Sequence, residues 1–247
     1  SCDKDPLPLL SPNRPPMILD RASSYIGTLV DDLVTKGVMD PYRMMTSRSE
    51  YRLVLRQDNA DERLTPIGRK IGLISDERWE RFLQKEEQKK EERTRAEKTI
   101  LSPSETLNQL LVSRGTTPVS SGARLSDLLK RPELSYKVLE PVDTTRPDLP
   151  AAIFENVEIE LKYEGYIRRQ KSEIEEMRRL EGKQLPKGTD YQTITGLRSE
   201  AQEKLNRVRP ANIGQASRIS GISPADISVL LIWLQKESRK ELINGEH

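Results

Sequence analysis

The chain has 247 residues, of which 41 are Lys or Arg and 39 are Asp or Glu, so its formal net charge is only +2. This balance excludes a basic surface spread over the whole protein, and any nucleic-acid site is expected to be a local patch. Charged residues make up 32% and hydrophobic residues 34%, a composition typical of long amphipathic helices. With only two Phe and two Trp, a β-sandwich or barrel is not expected.

Cysteine and histidine are almost absent. Cys2 and His247 are the single examples, which excludes an internal disulfide framework and a zinc site with Cys or His ligands. We predict no metal site. No apolar run is long enough to span a membrane and no signal peptide is visible, so a cytoplasmic protein without a membrane partner is expected. The chain begins without Met in a Pro-rich stretch, and we expect it to be part of a longer or processed polypeptide.

The first elements are an arm, a helix and an arginine-rich segment. Residues 1–16 contain five prolines and predict an extended arm. Apolar residues then recur at helical spacing over 24–36, and Gly37 is a plausible C-cap. Residues 47–50 read Ser-Arg-Ser-Glu, a possible capping box. A helix over 48–56 is favoured, although the alternation of residues there also fits a strand.

Helices are predicted along most of the remaining chain. Ser75 is placed as the N-cap of a long charged helix whose first turn is acidic. Residues 141–150 read as a linker. In the last helix Ser223 is the N-cap and Pro224 the first helical residue. The other predicted helices lie at 60–72, 104–114, 125–130, from 150 to the Gly/Pro hinge at 182–188, and at 190–208.

The arginines between residues 41 and 64 are the strongest functional signal. Arg43, Arg48, Arg52 and Arg56 stand close together with one acidic residue, Glu50, among them. Guanidinium forks beside aromatic rings suit phosphates and flat bases, so an anion or RNA-phosphate site is predicted. The alternative is a set of surface arginines paired with nearby carboxylates.

Two further stretches leave alternatives open. Residues 196–218 are basic and include Arg207, Arg209 and Arg218, but such a run also fits a solvated helix face. The final helix follows a glycine turn, which has the outline of a helix-turn-helix DNA reader. Its second helix is apolar nearly all round, so DNA reading is disfavoured and the helix is expected to be buried or to dock a partner.

Two negative observations limit the chemistry of the chain. Asp31 and Asp32 are adjacent on a predicted helix, where side chains diverge by about 100°, so both carboxylates are not expected to meet one atom easily. Metal or acid–base work by this pair is therefore a minor possibility. Neither a G-x-G-x-x-G nor a P-loop motif occurs, so the residues carry no recognisable nucleotide domain.

Four strings of residues resemble one family in order along the chain. Residues 25–65 read YIGTLVDDLVTKGVMDPYRMMTSRSEYRLVLRQDNADERLT, which resembles the segment after the FAD-binding domain of the GidA/MnmG family. The strings LKYEGYIRRQ at 161–170, DYQTITGLRSEAQEKLNRVRP at 190–210 and IGQASRISGISPADISVLL at 213–231 resemble its C-terminal helical domain. The family's flavin domain and reactive cysteines have no counterpart in these residues, and Cys2 is assigned no role.

The resemblance implies the C-terminal part of an FAD-dependent enzyme that builds a carboxymethylaminomethyl group at C5 of the tRNA wobble uridine. It implies FAD and NADH in the full-length enzyme and none bound to this portion. It implies tRNA, the GTPase MnmE and a second copy as partners. By the same resemblance, the residues expected to bind tRNA or line the active site are Arg43, Arg52, Arg48, Arg56, Asp31 and Asp32, with Lys162, Tyr163, Arg168, Arg169, Arg207, Arg209 and Arg218 on the helical domain. The apolar last helix, through Ile227, Leu230, Leu231 and Leu234, is expected to dock the GTPase.

The expected fold is mainly α, a C-terminal helix bundle preceded by a short segment that would pack on the FAD domain. Residues 1–60 are expected to form that arm and arginine segment, 61–141 a first helical subdomain, and 150–247 a second. The rival hypothesis is a stand-alone helical interaction or scaffold protein without RNA binding. No catalytic residue is predicted in this part of the enzyme.

Overall fold

A computed structural model describes residues 17–36 and 41–244, with side chains as far as residue 237. The predicted arm over 1–16 with Cys2, the predicted C-cap Gly37 and the terminal His247 lie outside the described residues. The mainly α fold predicted from the sequence is confirmed. The helices are α1 (Tyr25–Thr35), α2 (Ala60–Lys70), α3 (Asp76–Lys98), α4 (Glu105–Ser113), α5 (Leu125–Leu129), α6 (Tyr136–Leu139), α7 (Ala151–Lys162), α8 (Glu164–Glu181), α9 (Ser199–Val208), α10 (Ile213–Arg218) and α11 (Pro224–Asn244).

The remaining regular elements are short. Single 3₁₀ turns lie at Thr46–Arg48 and Tyr191–Thr193. Two strands, β1 (Ile100–Leu101) and β2 (Ala123–Arg124), pair antiparallel, with Ile100 opposite Arg124. This ribbon brackets α4 and returns the chain to α5, so it serves as a local connection within a helical fold.

Helix ends follow the local signals in the sequence. The Ser75 hydroxyl accepts a hydrogen bond from the Arg78 N–H, and Ser104 caps α4 through the Leu107 N–H in the same way. Ser223 accepts from the Asp226 N–H at the start of α11. Such caps satisfy donors that the first helical turn leaves unpaired.

Two predicted elements are wrong. Residues 48–56 form neither the favoured helix nor the alternative strand: a 3₁₀ turn ends at Arg48, and a further turn follows in which Val54 and Leu55 N–H both donate to the Tyr51 carbonyl. Ser47 and Glu50 form no capping box, because the Glu50 carboxylate is bound by Arg21 instead. The stretch 190–208, predicted as helical, contains a 3₁₀ turn at Tyr191–Thr193 and then α9, which starts at Ser199 and ends at Val208 as expected.

The chain divides into two compact units. Unit 1 contains residues 56–168 and unit 2 contains residues 18–55 together with those from 169 onward. The division runs through α8, whereas the sequence pattern marks residues 141–150 as a linker; the three-part division drawn from the sequence stays a prediction.

Unit 1 is built on a leucine-rich core. Fully buried leucines of α4 and α5 pack against one face of α7 and against Ala96 of α3. The same face of α3 also carries charge, because the buried Lys89, two turns before Ala96, binds Glu160 of α7 at 3.1 Å. In α7 the apolar residues Ile153, Val157 and Leu161 recur every four residues, and all three are buried.

Unit 2 has an apolar core and one helix, α1, that buries polar side chains and exposes apolar ones. Its core joins Leu205 of α9, Ile213 of α10 and Leu230 of α11, each fully buried. Helix α1 is different, because it buries Thr28, Asp32 and other small or polar side chains. Its apolar residues face outward: the exposed fractions of Ile26, Val30, Leu33 and Val34 are 58%, 53%, 41% and 62%.

Candidate RNA-facing arginine site

The centre of unit 2 beside α1 is a buried guanidinium. Arg21 is 2% exposed and donates two hydrogen bonds to the Glu50 carboxylate, at 2.7 and 2.9 Å. Its other terminal nitrogen donates to Asp32 at 2.6 Å, to Asp31 at 3.1 Å and to the Thr28 carbonyl at 3.3 Å. Burial alone would lower the Arg21 pKa, but the carboxylates of Glu50 and Asp32 raise it, so the group stays charged.

A second arginine completes this network, which we name the Arg21 cluster (Arg21, Asp31, Asp32, Glu50 and Arg218). Arg218, at the end of α10, binds both oxygens of Asp31 at 2.7 Å and Glu181 of α8 at 2.8 Å. Its predicted role was tRNA binding. In the structure its guanidinium is held by carboxylates and only 14% of its side chain is exposed.

The paired aspartates contradict the geometric expectation from the sequence. Asp31 and Asp32 both reach one nitrogen of Arg21, because that side chain lies between the two directions in which they point. Burial alone would raise the Asp32 pKa, and this is outweighed by hydrogen bonds from Tyr42, Lys36 and Arg21, which lower it to about 2. A carboxylate that stays ionised and fully bonded is suited to holding structure and is a poor general base at neutral pH.

One surface arginine is attached to this cluster through an aromatic ring. The Tyr42 hydroxyl donates to the second oxygen of Asp32 at 2.6 Å. The Arg48 guanidinium carbon lies 4.4 Å from the centre of the Tyr42 ring, within cation–π range. Arg48 itself is exposed.

Arg43 and Arg52, two of the arginines predicted to bind tRNA, differ from the arginines of the cluster. Arg43 and Arg52 are both exposed, and neither forms an ion pair with a carboxylate anywhere in residues 17–36 and 41–244 as far as their side chains are described. An exposed guanidinium without an internal carboxylate keeps its donors available to an external anion. Unit 2 therefore presents Arg43, Arg48 and Arg52 as candidate phosphate ligands.

The other arginines of this stretch belong to unit 1 and are bonded there. Arg56 binds the Asp58 carboxylate, with its Nε 3.0 Å and its Nη2 2.9 Å from the two oxygens. Arg63 donates to the Asn59 side chain at 3.1 Å and to the Arg56 carbonyl at 2.9 Å. For Arg56 the structure thus shows the ion-paired alternative that the sequence left open.

An open cavity of about 580 Å³ adjoins the Arg21 cluster within unit 2. Its wall includes the partly buried Tyr51 and the buried Met177, while its acidic lining comes from Glu50, Glu173 and Glu176. The two arginines that reach it, those of the cluster, are already neutralised. Because carboxylates surround the cavity, it is unsuited to phosphate, and the anion-binding capacity of unit 2 lies on the exposed arginines.

The candidate RNA residues around α8 have mixed surroundings. Lys162 is tied to Glu158 at 2.8 Å, and Tyr163 ends α7 with 45% of its surface exposed. Arg168 and Arg169 are 77% and 82% exposed, and each pairs with a carboxylate one turn away. Such exposed pairs contribute little to stability, which leaves these side chains able to exchange partners.

The basic residues near α9 split in the same way. Arg207 is exposed on the last turn of α9. Arg209 ends that helix in a left-handed conformation, with φ of 53°, and its side chain donates to the carbonyls of Asn206 and Thr189 at 2.8 Å. Arg209 therefore serves the helix end directly.

The final helix is more buried than a docking helix would be. Leu230 is fully buried in the core of unit 2, so it cannot contact a partner in this conformation. Ile227, Leu231 and Leu234 are partly buried against the same core. Ile232 is a large apolar residue of this helix that is exposed, at 54%. It lines an open groove of about 470 Å³, together with Thr193, Val229, Trp233 and Lys236.

The described part of the chain contains neither a metal-binding cluster nor a membrane-spanning helix. Among residues 17–36 and 41–237, His, Cys, Asp and Glu side chains form no group of three or more suited to a metal ion. Within the same ranges, no helix combines the length and apolar character needed to cross a bilayer.

Sequence reasoning missed Arg21 and Tyr42. Arg21 lies five residues after the proline-rich arm and far from the arginines of 41–64, so nothing local singles it out. In the sequence Tyr42 is only an aromatic neighbour of those arginines. The available signal was the polar, small character of one face of α1, which a buried charged partner would explain.

The fold and the site define a mainly helical module in which some arginines are buried and bound by carboxylates while others are exposed. Comparisons with known proteins agree with this architecture. Residues 76–171 match a family described as the tRNA modifying enzyme MnmG/GidA C-terminal helical domain. Residues 173–246 match the tRNA modifying enzyme MnmG/GidA C-terminal helical bundle. The boundary between these matches lies in α8, close to the division between units.

Curated relatives extend the match over nearly the whole chain. It is 58% identical over 223 residues to the tRNA uridine 5-carboxymethylaminomethyl modification enzyme MnmG of Caldicellulosiruptor saccharolyticus, and 52% identical over 226 residues to that of Lachnoclostridium phytofermentans. These alignments cover 90% and 92% of this chain. The chain spans 36% of the length of each relative.

A solved structure gives the same result. Aquifex aeolicus GidA, in its form I and form II crystals, matches with a TM-score of 0.72 and 37% identity. The match covers 90% of this chain and about a third, 34% and 33%, of those chains. The chain belongs to the MnmG/GidA family and corresponds to its C-terminal helical region.

Proposed function

We propose that this chain is the tRNA-contacting region of an enzyme that modifies C5 of the tRNA wobble uridine with a carboxymethylaminomethyl group. The observation that carries the proposal is the exposed set of Arg43, Arg48 and Arg52. These guanidiniums stand outside the Arg21 cluster, whose own arginines are neutralised. Their donors suit phosphates of a folded RNA. Exposed basic residues of the helical region, among them Arg168, Arg169 and Arg207, would extend this contact.

The cofactor chemistry belongs to the longer family enzyme in this proposal. FAD and NADH would bind the part of the polypeptide that this chain does not span, and the described residues offer no glycine-rich phosphate loop. The exposed apolar face of α1 supports packing of residues 17–36 and 41–55 against that flavin domain, because a continuous exposed apolar stripe is normally covered by another surface. The family enzyme would work as a homodimer in the cytoplasm.

A protein partner is proposed at α11. The groove beside Ile232 combines an apolar wall with Lys236 and Glu237, which suits a partner with an amphipathic helix. We propose that the GTPase MnmE docks there. The buried Leu230 packs α11 against the core of unit 2.

A salt titration of tRNA binding tests the RNA role. If three exposed arginines meet phosphates, a plot of log affinity against log salt should have a slope of about −2 for single-strand-like contacts. Replacing Arg43, Arg48 and Arg52 together by Ala should flatten the plot. Arg114→Ala removes an exposed arginine of unit 1 and should leave the slope unchanged. No binding by the wild-type chain would favour the stand-alone scaffold hypothesis.

A further inference from the structure

The arginine segment lacks a regular backbone to hold its shape. Between residues 41 and 55 the backbone hydrogen bonds are a few turn contacts, such as Arg48 N–H to the Met45 carbonyl at 3.0 Å and Ser49 N–H to Thr46 at 3.2 Å. Helices and strands fix side-chain directions through repeated bonds, and this segment has no such repeat. The directions of its arginines therefore depend on side-chain attachments.

Two side-chain attachments that begin at Arg21 reach the segment. The first is the double hydrogen bond from Arg21 to Glu50, whose own carbonyl also accepts from the Gln170 side chain at 3.0 Å. The second runs from Arg21 to Asp32 at 2.6 Å and from Asp32 to the Tyr42 hydroxyl at 2.6 Å. One attachment lies on each side of Arg48 in the sequence.

The second attachment ends under Arg48. The Tyr42 ring is partly buried and its face lies 4.4 Å from the Arg48 guanidinium carbon. A guanidinium has five N–H donors, so one held against the face of a ring still has donors to offer a phosphate. A tyrosine held only by its ring could rotate away, whereas the bond to the buried Asp32 fixes it.

We propose that Tyr42 is a positioning residue for RNA binding: anchored through Asp32 to Arg21, it holds Arg48 with its donors turned outward to a phosphate of the RNA. The consequence for RNA rests on the proposed function, while the geometric part concerns the protein alone. Tyr42 makes no contact with the phosphate itself. Its contribution reaches the RNA through Arg48.

The geometric part is tested on the free chain by nuclear magnetic resonance of the arginine Nε–Hε groups. The Arg48 signal, assigned by its loss in Arg48→Ala, should be displaced by the ring current of Tyr42 and should report restricted motion. Tyr42→Leu should return it to the position of a solvated arginine, and Tyr42→Phe should partly release it. Tyr166→Phe, which changes an exposed tyrosine of α8, should not move it. An Arg48 signal unaffected by Tyr42→Leu would overturn the proposal.

The RNA part is tested with an unmodified tRNA transcript and a double-mutant cycle. Tyr42→Phe should weaken binding by about two- to tenfold, the worth of one hydrogen bond. In the Arg48→Ala background the same change should have no further effect, since the group through which it acts is gone. An equal loss in both backgrounds would overturn the positioning role. If wild-type chain shows no salt-dependent tRNA binding, the proposed function fails, and the resonance experiment still decides whether Tyr42 holds Arg48.

Discussion

Unit 2 uses arginine in two opposite ways. Arg21 and Arg218 are buried or nearly so, and each is surrounded by carboxylates. Arg43 and Arg52 are exposed and, in the described part of the chain, have no carboxylate partner. The same side chain is thus a structural bond in one place and a free donor in the other. Burial decides between these roles, because an unpaired guanidinium is costly only where water is excluded.

Removing the buried arginine should break this contrast most strongly. Arg21→Ala would leave Asp32 buried without its main partner, and the expected loss is about 3–5 kcal/mol in the free energy of unfolding. Urea unfolding followed by the fluorescence of Trp233, in a Trp79→Phe background, reports on unit 2. Arg52→Ala is the matched control and should cost less than about 0.5 kcal/mol. Equal losses for the two variants would refute the distinction.

Acid should weaken the same cluster through Asp32. The folded-state pKa of about 2 lies below the ordinary value of 3.8, so the stabilisation is present above about pH 4 and is lost as the pH falls towards 2. Urea midpoints measured between these pH values should fall more steeply for the wild type than for Asp32→Asn. Parallel curves would show that Asp32 titrates normally in the folded protein.

The geometry of the second buried arginine should matter as well as its charge. Arg218→Lys keeps the charge but loses the pair of hydrogen bonds to the two oxygens of Asp31. The free energy of unfolding should fall by about 1–2 kcal/mol. Arg179 also contacts both oxygens of one carboxylate, that of Glu176, but through a single nitrogen and with 71% of its side chain exposed. Arg179→Lys should therefore change stability by less than about 0.5 kcal/mol. Urea unfolding of both variants checks this difference.

The exposed arginine should show the reverse pattern, with the smallest effect on folding. Arg52→Ala should leave the melting temperature unchanged while weakening tRNA binding, and the salt slope should become less negative by about 0.7. Arg114→Ala should alter neither quantity. If Arg52→Ala instead lowers the melting temperature by several degrees, Arg52 belongs with the structural arginines.

The sequence predicted what local chemistry determines. The caps at Ser75 and Ser223 lie within three residues of the donors they satisfy, so short patterns identify them. The buried face of α7 follows from its spacing alone. These signals were sufficient for the mainly α fold and for most helix positions.

The arginine segment could not be predicted this way, because distant residues determine its shape. Glu50 is bonded to Arg21, 29 residues away, and to Gln170, 120 residues away. Arg218 reaches Asp31 across 187 residues. A periodic pattern contains no record of such pairs. Consequently the arginines were identified correctly as a local group, but which of them are held and which are exposed required the structure.

Helix α1 carries a consequence for how this family can vary. Its inward face is formed by Gly27, Thr28 and Asp32, and a methyl group added at Gly27 would lie 2.2 Å from the Asp20 carbonyl oxygen. Its outward positions, such as Ile26 and Val34, meet no such obstacle in this chain. A complete substitution scan of the isolated chain should therefore give an inverted tolerance map, in which apolar positions accept polar residues and small polar positions accept almost nothing.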